Sequence, residues 1–258
     1  MTRGLLVASF GTTHQDAYEK NVLPVERALA AAFPDAITVR AYTSFMVRRA
    51  LAKRGVEVDG VREALDRLAD QGCTDVLVVS THLLPGDEYS KLVHLAHQRA
   101  SRFERLSFSR PLLSDHTDYQ AVLRILASKI ELGPAEALVC VGHGSEHYSN
   151  SIYAAMAWQA HLIGYDRLVI GTIEAYPGFD EALSQVRADD FERVCLTPLL
   201  LVAGDHAVND ICGYGPDSWQ SRFVAAGLST RAVLKGLGEY PEVCKLYCQH
   251  AIRALEKE

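Results

Sequence analysis

Val139-Cys140-Val141-Gly142-His143-Gly144-Ser145-Glu146 begins as an apolar run and ends on a histidine held between two glycines. The run from Ala137 to Val141 reads as a buried strand. Glycine on both sides of His143 lets the backbone turn sharply and lets a bulky group approach the imidazole. In an open α/β sheet, ligands sit at the carboxyl ends of strands. Taken alone, the stretch reads equally well as a tight strand-to-helix turn carrying an incidental histidine, so the partners of His143 decide between the two.

The rest of the chain supplies the frame. Of 258 residues, 48% are hydrophobic and 22% charged, which suits a soluble protein with a large buried core. A net charge of −6 without a basic stripe argues against nucleic acid as a partner. The N-terminal apolar run, Leu5 to Phe10, is too short for a secretory signal, and no stretch approaches a membrane span. Six cysteines without a Cys-x-x-Cys pair fit free thiols in a reducing, cytoplasmic setting. Strands expected at Gly4–Ser9, Ala36–Tyr42, Asp75–Ser80 and Arg105–Ser109 alternate with helices. A second set follows at Ala137–Val141, Arg167–Thr172, Arg193–Val202 and Thr230–Lys235. Such alternation predicts an α/β fold of two Rossmann-like halves, each a parallel sheet with helices on both faces, facing each other across a cleft. Gly133-Pro134 breaks the chain near its middle, so the expected halves are residues 1–132 and 133–258.

The two halves share local sequence. Val7-Ala8-Ser9-Phe10-Gly11-Thr12 lies over Cys140-Val141-Gly142-His143-Gly144-Ser145 at an offset of 133 (143 − 10), and Gly86-Asp87-Glu88 lies over Gly204-Asp205-His206 at 118 (206 − 88). The difference of 15 (133 − 118) is assigned to a longer connection around Arg48–Gly60 in the first half. Such self-similarity predicts a duplicated unit.

Three strand ends of the second half carry polar residues beside glycine or proline: His143, Glu174 and His206. Side chains from neighbouring parallel strands, ~4.8 Å apart, can meet at one point. Two imidazoles and a carboxylate suit a divalent first-row metal with open coordination positions. Phe10, a position near Thr43, and Glu88 stand at the matching places in the first half. That half is expected to supply an apolar wall at Phe10 and one carboxylate, Glu88, as a candidate proton relay. A helix N-terminal acid is an equally good reading of Glu88. Of the other histidines, His82 is expected in a core or capping role, His94 and His97 on a helix surface, and His147 near the site. Arg48, Arg49, Lys53 and Arg54 are candidates for binding substrate carboxylates, against a plain solvated helix face.

Ser9-Phe10-Gly11-Thr12, Gly86-Asp87-Glu88-Tyr89, Gly142-His143-Gly144, Glu174-Ala175-Tyr176-Pro177, the run Leu201 to Asp210 and Asp217 to Phe223 resemble the anaerobic sirohydrochlorin cobaltochelatases nearly end to end. The resemblance implies the class II chelatase fold without a nucleotide. It also implies insertion of Co2+ into sirohydrochlorin, or a related tetrapyrrole, on the early-cobalt route to cobalamin. His143 would be proton acceptor and metal ligand, with Glu174 and His206 as further ligands. The ligand set also accepts Fe2+ or Ni2+. That leaves two other readings: a ferrochelatase making sirohaem from the same ring, and a non-catalytic cobalt or nickel chaperone. A phosphohydrolase is disfavoured, since no Arg-His-Gly signature or phosphate-cradling loop is present. A second copy of the chain is left open as a partner.

Overall fold

A computed structural model describes residues 2–204 and 207–256. The chain divides into two compact units, residues 1–114 with 241–258, and residues 115–240.

In the first unit, β1 (Arg3–Ser9) runs parallel to β2 (Ile37–Tyr42) and β3 (Asp75–Ser80), and β3 pairs with β4 (Arg105–Phe108), giving the order β2-β1-β3-β4. β1 and β3 are almost wholly buried, as central parallel strands covered on both faces must be. Between β1 and β2 the chain forms α1 (Gln15–Ala17), a π-helical stretch at Tyr18–Val22, and α2 (Leu23–Ala32). Pro24 lacks an amide proton and sits in the first turn of α2, directly after that stretch. After β2 come α3 (Phe45–Ala52) and α4 (Val61–Asp70), the latter burying Val61, Ala64, Leu65 and Leu68 at helical spacing. α5 (Asp87–His97) follows β3.

The second unit begins with α6 (His116–Lys129), capped by Asp115. Its sheet repeats the first in the order β6-β5-β7-β8, with β5 (Glu136–Gly142), β6 (Leu168–Thr172), β7 (Arg193–Pro198) and β8 (Ser229–Ala232). α7 (Ser151–Leu162) and α8 (Phe179–Ala188) connect these strands, and α9 (Trp219–Ala225) precedes β8. Phe179, Trp219 and Phe223 form one aromatic cluster in this core. Gly171 makes room for it, since a Cβ there would stand 2.3 Å from the Trp219 ring. α10 (Pro241–Glu256) ends the chain.

The duplication reaches the individual backbone bond. Thr81 N–H donates to the Ala8 carbonyl and Leu199 N–H to the Val141 carbonyl. Leu112 N–H donates to the His82 carbonyl and Leu237 N–H to the Leu200 carbonyl. Ala8 and Val141 obey the offset of 133 (141 − 8), Thr81 with Leu199 and His82 with Leu200 obey 118 (199 − 81, 200 − 82), and Leu112 and Leu237 lie 125 apart (237 − 112). The register corrects one detail: Tyr42 pairs with Ser9 where Thr172 pairs with Gly142, an offset of 130 (172 − 42). Three of the 15 extra positions (133 − 130) therefore precede β2, and 12 (130 − 118) fall between β2 and α4, where α3 is inserted.

Three expected boundaries change. The chain divides at 114/115 and 240/241 rather than at 132/133. α6 packs on α7, and α10 packs on α2, β3 and β4, so the helix that ends each half completes the other unit. The buried Tyr247 of α10 donates to the Thr81 carbonyl at 2.7 Å, which anchors that exchange in the first unit. The third strand of the second unit stops at Pro198 rather than Val202, and the fourth at Ala232 rather than Lys235. β7 can pair only as far as its neighbours run, and β5 turns away after Gly142.

At the amino ends of the strands each sheet is locked by a buried carboxylate. Asp75 accepts from Arg3 at 2.7 Å and from Arg105 at 2.8 Å; Glu136 accepts from Arg231 at 2.7 Å. Arg3 stands opposite Asp75 in the first register and Glu136 opposite Arg193 in the second, so the same rung carries its charges in reversed order. Burial alone would raise the Asp75 carboxyl, but the Arg105 and Arg3 guanidinium groups outweigh it and hold it low. Arg231 does the same for Glu136. A carboxyl whose folded pKa is depressed contributes stability above its unfolded value, near 4, and loses it as pH falls toward the folded value. Unfolding midpoints should therefore fall steeply below about pH 4. Asp75→Asn should lower the neutral-pH midpoint and flatten that acid slope, as read by thermal denaturation across pH; an unchanged slope would contradict the account.

Candidate active site

β5 delivers His143 directly after its last residue, and two close approaches determine the backbone there. A Cβ on Gly142 would lie 2.2 Å from the Tyr153 ring, and one on Gly144 would lie 2.8 Å from the Ala175 amide nitrogen. Gly144 also has φ +86°, in the left-handed region. Both glycines are thus required by the close packing of the turn, which leaves the His143 side chain 43% exposed. Burial pushes the Tyr153 phenol up, and the backbone amides of Gly144 and His143, directed at its oxygen, partly offset this.

The parallel ladder continues beyond the strand ends. Ile173 N–H donates to the Gly142 carbonyl and Glu174 N–H to the His143 carbonyl, at 3.0 and 2.9 Å. Glu174 is thereby set beside His143, its Oε2 3.5 Å from Nδ1, with side chains 55% and 43% exposed. His143 Nδ1 lies 2.9 Å from the Gly144 carbonyl oxygen, which can only accept. The proton of a neutral ring therefore belongs on Nδ1 and the lone pair on Nε2, the form suited to binding a metal or accepting a proton.

Asn150 ties the two loops together, a role that its position before α7 did not disclose. Its Oδ1 accepts from Ser145 N–H at 3.0 Å and its Nδ2 donates to the Tyr176 carbonyl at 2.6 Å, so it makes no side-chain cap on α7. Beyond Tyr176 the cis Tyr176–Pro177 bond turns the chain, and Thr172 N–H closes the loop on the Pro177 carbonyl at 2.7 Å.

The third expected ligand, His206, lies outside the described residues, as does Asp205. Among the described residues no three His, Cys, Asp or Glu side chains converge as a metal set. Two of the three expected donors, His143 and Glu174, are brought together.

In the first unit, Ser44 N–H donates to the Phe10 carbonyl, so Ser44, next to Thr43 as expected, is the counterpart of Glu174. Phe10 stands 50% exposed at the end of β1, joined on this strand-end side by Phe45 and Met46 in the first turn of α3. Glu88, in the first turn of α5, accepts from Thr43 Oγ1 at 2.6 Å and pairs with Lys91 at 3.3 Å. His82 lies behind Thr43, its Nε2 3.3 Å from the same hydroxyl. His147 Nδ1 accepts from Ser149 N–H, capping the short helical turn at Tyr148–Asn150. His97 stacks on Phe108, and His94 Nε2 lies 3.0 Å from Gln98 Nε2. Of the basic candidates, Arg48 lies against Gly60 and over Phe45, while Arg54 donates to the Thr13 carbonyl at 2.9 Å.

Replacing Asn150 by alanine removes two hydrogen bonds, each worth about 1 kcal/mol. Exchange of the Ser145 amide, measured by hydrogen exchange in the folded state, should quicken by about fivefold or more. Unchanged protection would show that the loops hold each other without it.

A model of the cobalt chelatase (CbiK) family matches residues 3–256. The sirohydrochlorin cobaltochelatase of Salmonella typhimurium is 40% identical over 259 residues, spanning 99% of this chain and 97% of that protein. The sirohydrochlorin cobaltochelatase CbiKC of Nitratidesulfovibrio vulgaris is 32% identical over 257 residues, spanning 98% and 90%. Among solved structures, SirB from Bacillus subtilis with Fe3+ superposes with a TM-score of 0.67 at 15% identity, over 98% of this chain and 96% of that one, a likeness of fold. With two sheets of one topology, a glycine-flanked histidine beside a carboxylate, and full-length similarity of this kind, the chain belongs to the cobalt chelatase (CbiK) family.

Proposed function

We propose that this chelatase, a lyase by reaction class, inserts Co2+ into sirohydrochlorin for cobalamin synthesis, with His143, Glu174 and His206 as the metal-handling residues. The observation that carries the reading is the pair formed by His143 and Glu174, set side by side by the bond from the Glu174 amide to the His143 carbonyl.

The reaction takes Co2+ and the free ring to the metallated ring and two protons. Water must leave the ion, two pyrrole N–H bonds must break, and four ring nitrogens must replace the protein donors. Neutral imidazole and carboxylate hold Co2+ firmly enough to orient it and weakly enough to release it; thiolates would bind a soft metal too tightly for transfer. Thiols are absent from the exposed strand ends, and burial pushes Cys140 and Cys195 up and away from the thiolate form. As the ion moves to the ring, the Nε2 lone pair of His143 becomes available for one pyrrole proton, and Glu88 takes the other. Phe10 offers an apolar face to the macrocycle.

Co2+ is the metal that the family points to; Fe2+ and Ni2+ fit the same donors. None of the helices is long and apolar enough to cross a membrane among the described residues, and the cysteines described there are free thiols. Both support a cytoplasmic setting.

Incubation with sirohydrochlorin and Co2+, followed by absorbance, should show metallation faster than without protein, and faster than with Fe2+ or Ni2+. No acceleration with any ion would leave a metal-binding carrier as the reading. His143→Ala should lower kcat by at least about a hundredfold while the fold persists by circular dichroism. His206→Ala should weaken Co2+ binding most among single ligand variants, as read by calorimetry; unaltered affinity would remove it from the ligand set.

A further inference from the structure

Behind Glu88 in the first unit lies a row of polar side chains that the metal site does not use. Ser80 and Thr43 are buried at 0% and 3% exposure, with the His82 ring between them. Ser80 Oγ lies 2.9 Å from His82 Nδ1, His82 Nε2 lies 3.3 Å from Thr43 Oγ1, and Thr43 Oγ1 lies 2.6 Å from Glu88 Oε2. The direction of each bond follows from the last acceptor. An ionised carboxylate only accepts, so the single Thr43 proton goes to Glu88. Thr43 must then accept from His82, which puts the ring proton on Nε2 and leaves Nδ1 to accept from the Ser80 hydroxyl.

The row is held in place on every side. Thr43 N–H donates to the Ser9 carbonyl, Ser80 N–H to Ser109 Oγ, and His82 N–H to Ser80 Oγ. Burial lowers the His82 pKa to about 4; the Glu88 charge opposes this and Lys91 adds to it. The ring is therefore neutral at working pH, as the bond directions require.

The duplicated unit shows that the fold does not need these groups. By the offsets that match the backbone bonds of the two sheets, Ser80, His82 and Thr43 correspond to Pro198, Leu200 and Ile173. The same three places are apolar there. A polar row that serves only packing has no reason to appear in one copy alone, where it costs the desolvation of three groups.

We propose that Ser80, His82 and Thr43 form a one-way hydrogen-bond array that positions Glu88 to accept a proton from the substrate ring. They are positioning residues, and Glu88 is the group that meets the substrate. The array rests on the reading of Glu88 given above. It orients one carboxylate oxygen through Thr43, while Lys91 holds the other at 3.3 Å. With both oxygens restrained, the carboxylate keeps one geometry as the ring N–H breaks and its proton passes to Glu88.

The test uses the intact protein with sirohydrochlorin and Co2+. Thr43→Val keeps the shape and removes both hydroxyl bonds. It should lower kcat by about tenfold, the scale of one hydrogen bond to a charged group, with KM for both substrates within about twofold. Thr43→Ser should restore kcat. On a Glu88→Gln background the valine should add no further loss, because its effect passes through that carboxylate. Full kcat in Thr43→Val, an equal loss on both backgrounds, or wild-type turnover in Glu88→Gln each overturns the proposal while the chelatase reading stands. A wild-type protein that metallates nothing removes both. Nitrogen NMR of the His82 ring supplies a readout independent of turnover. It should show a neutral ring protonated at Nε2 from about pH 5 to about pH 8. A ring protonated at Nδ1, or titrating within that window, overturns the array.

Discussion

The hydrogen bond from the Glu174 amide to the His143 carbonyl joins fold to chemistry. It is one more rung of the parallel ladder between β5 and β6, made after both strands have ended. Parallel rungs are evenly spaced and slanted, so a residue two past the end of one strand falls beside the residue just past the end of its neighbour. An imidazole and a carboxylate become neighbours this way without any attraction between them. The first unit makes the same rung from Ser44 to Phe10, where the Ser44 hydroxyl caps α3. Position is a property of the duplicated backbone, and function is a property of what each copy places there.

That arrangement depends on register, because a slip of one residue would turn every side chain to the opposite face. Register is held at the far edge of each sheet, where a buried carboxylate is gripped by arginines of other strands: Asp75 by Arg3 and Arg105 from the two flanking strands, and Glu136 by Arg231 of β8, two strands away. A carboxylate left there without its arginines would be a buried unpaired charge, which costs several kcal/mol, so slipped pairings are strongly disfavoured. The acid lies on β3 in the first unit and on β5 in the second, so the two copies bury their carboxylate on different strands.

Much of this was legible in the chain. Apolar runs with alternating helices predicted two parallel sheets, and the offsets of 133 and 118 hold for backbone bonds as well as for residues. His143 and Glu174 were identifiable because each follows an apolar run and stands near glycine or proline. Three features were not. The exchange of α6 and α10 left no mark, since a helix pattern states which face is apolar but not which sheet it covers. Asn150 was hidden because its two partners, Ser145 and Tyr176, lie on different loops. The array behind Glu88 was hidden because Thr43, Ser80 and His82 come from two separate strand ends.

The chain by itself determined the alternation of strands and helices, the duplication, and the residue types at the strand ends. These are encoded at short range, in the period of apolar residues and in glycines that tolerate one backbone conformation. Tertiary structure decided which helix completes which unit, how the rungs beyond the strands pair Glu174 with His143, and which residue near Thr43 is the matching position, Ser44. Those outcomes come from contacts between residues far apart in the chain, whose geometry is set only when parallel strands are brought into register and both faces of each sheet are covered.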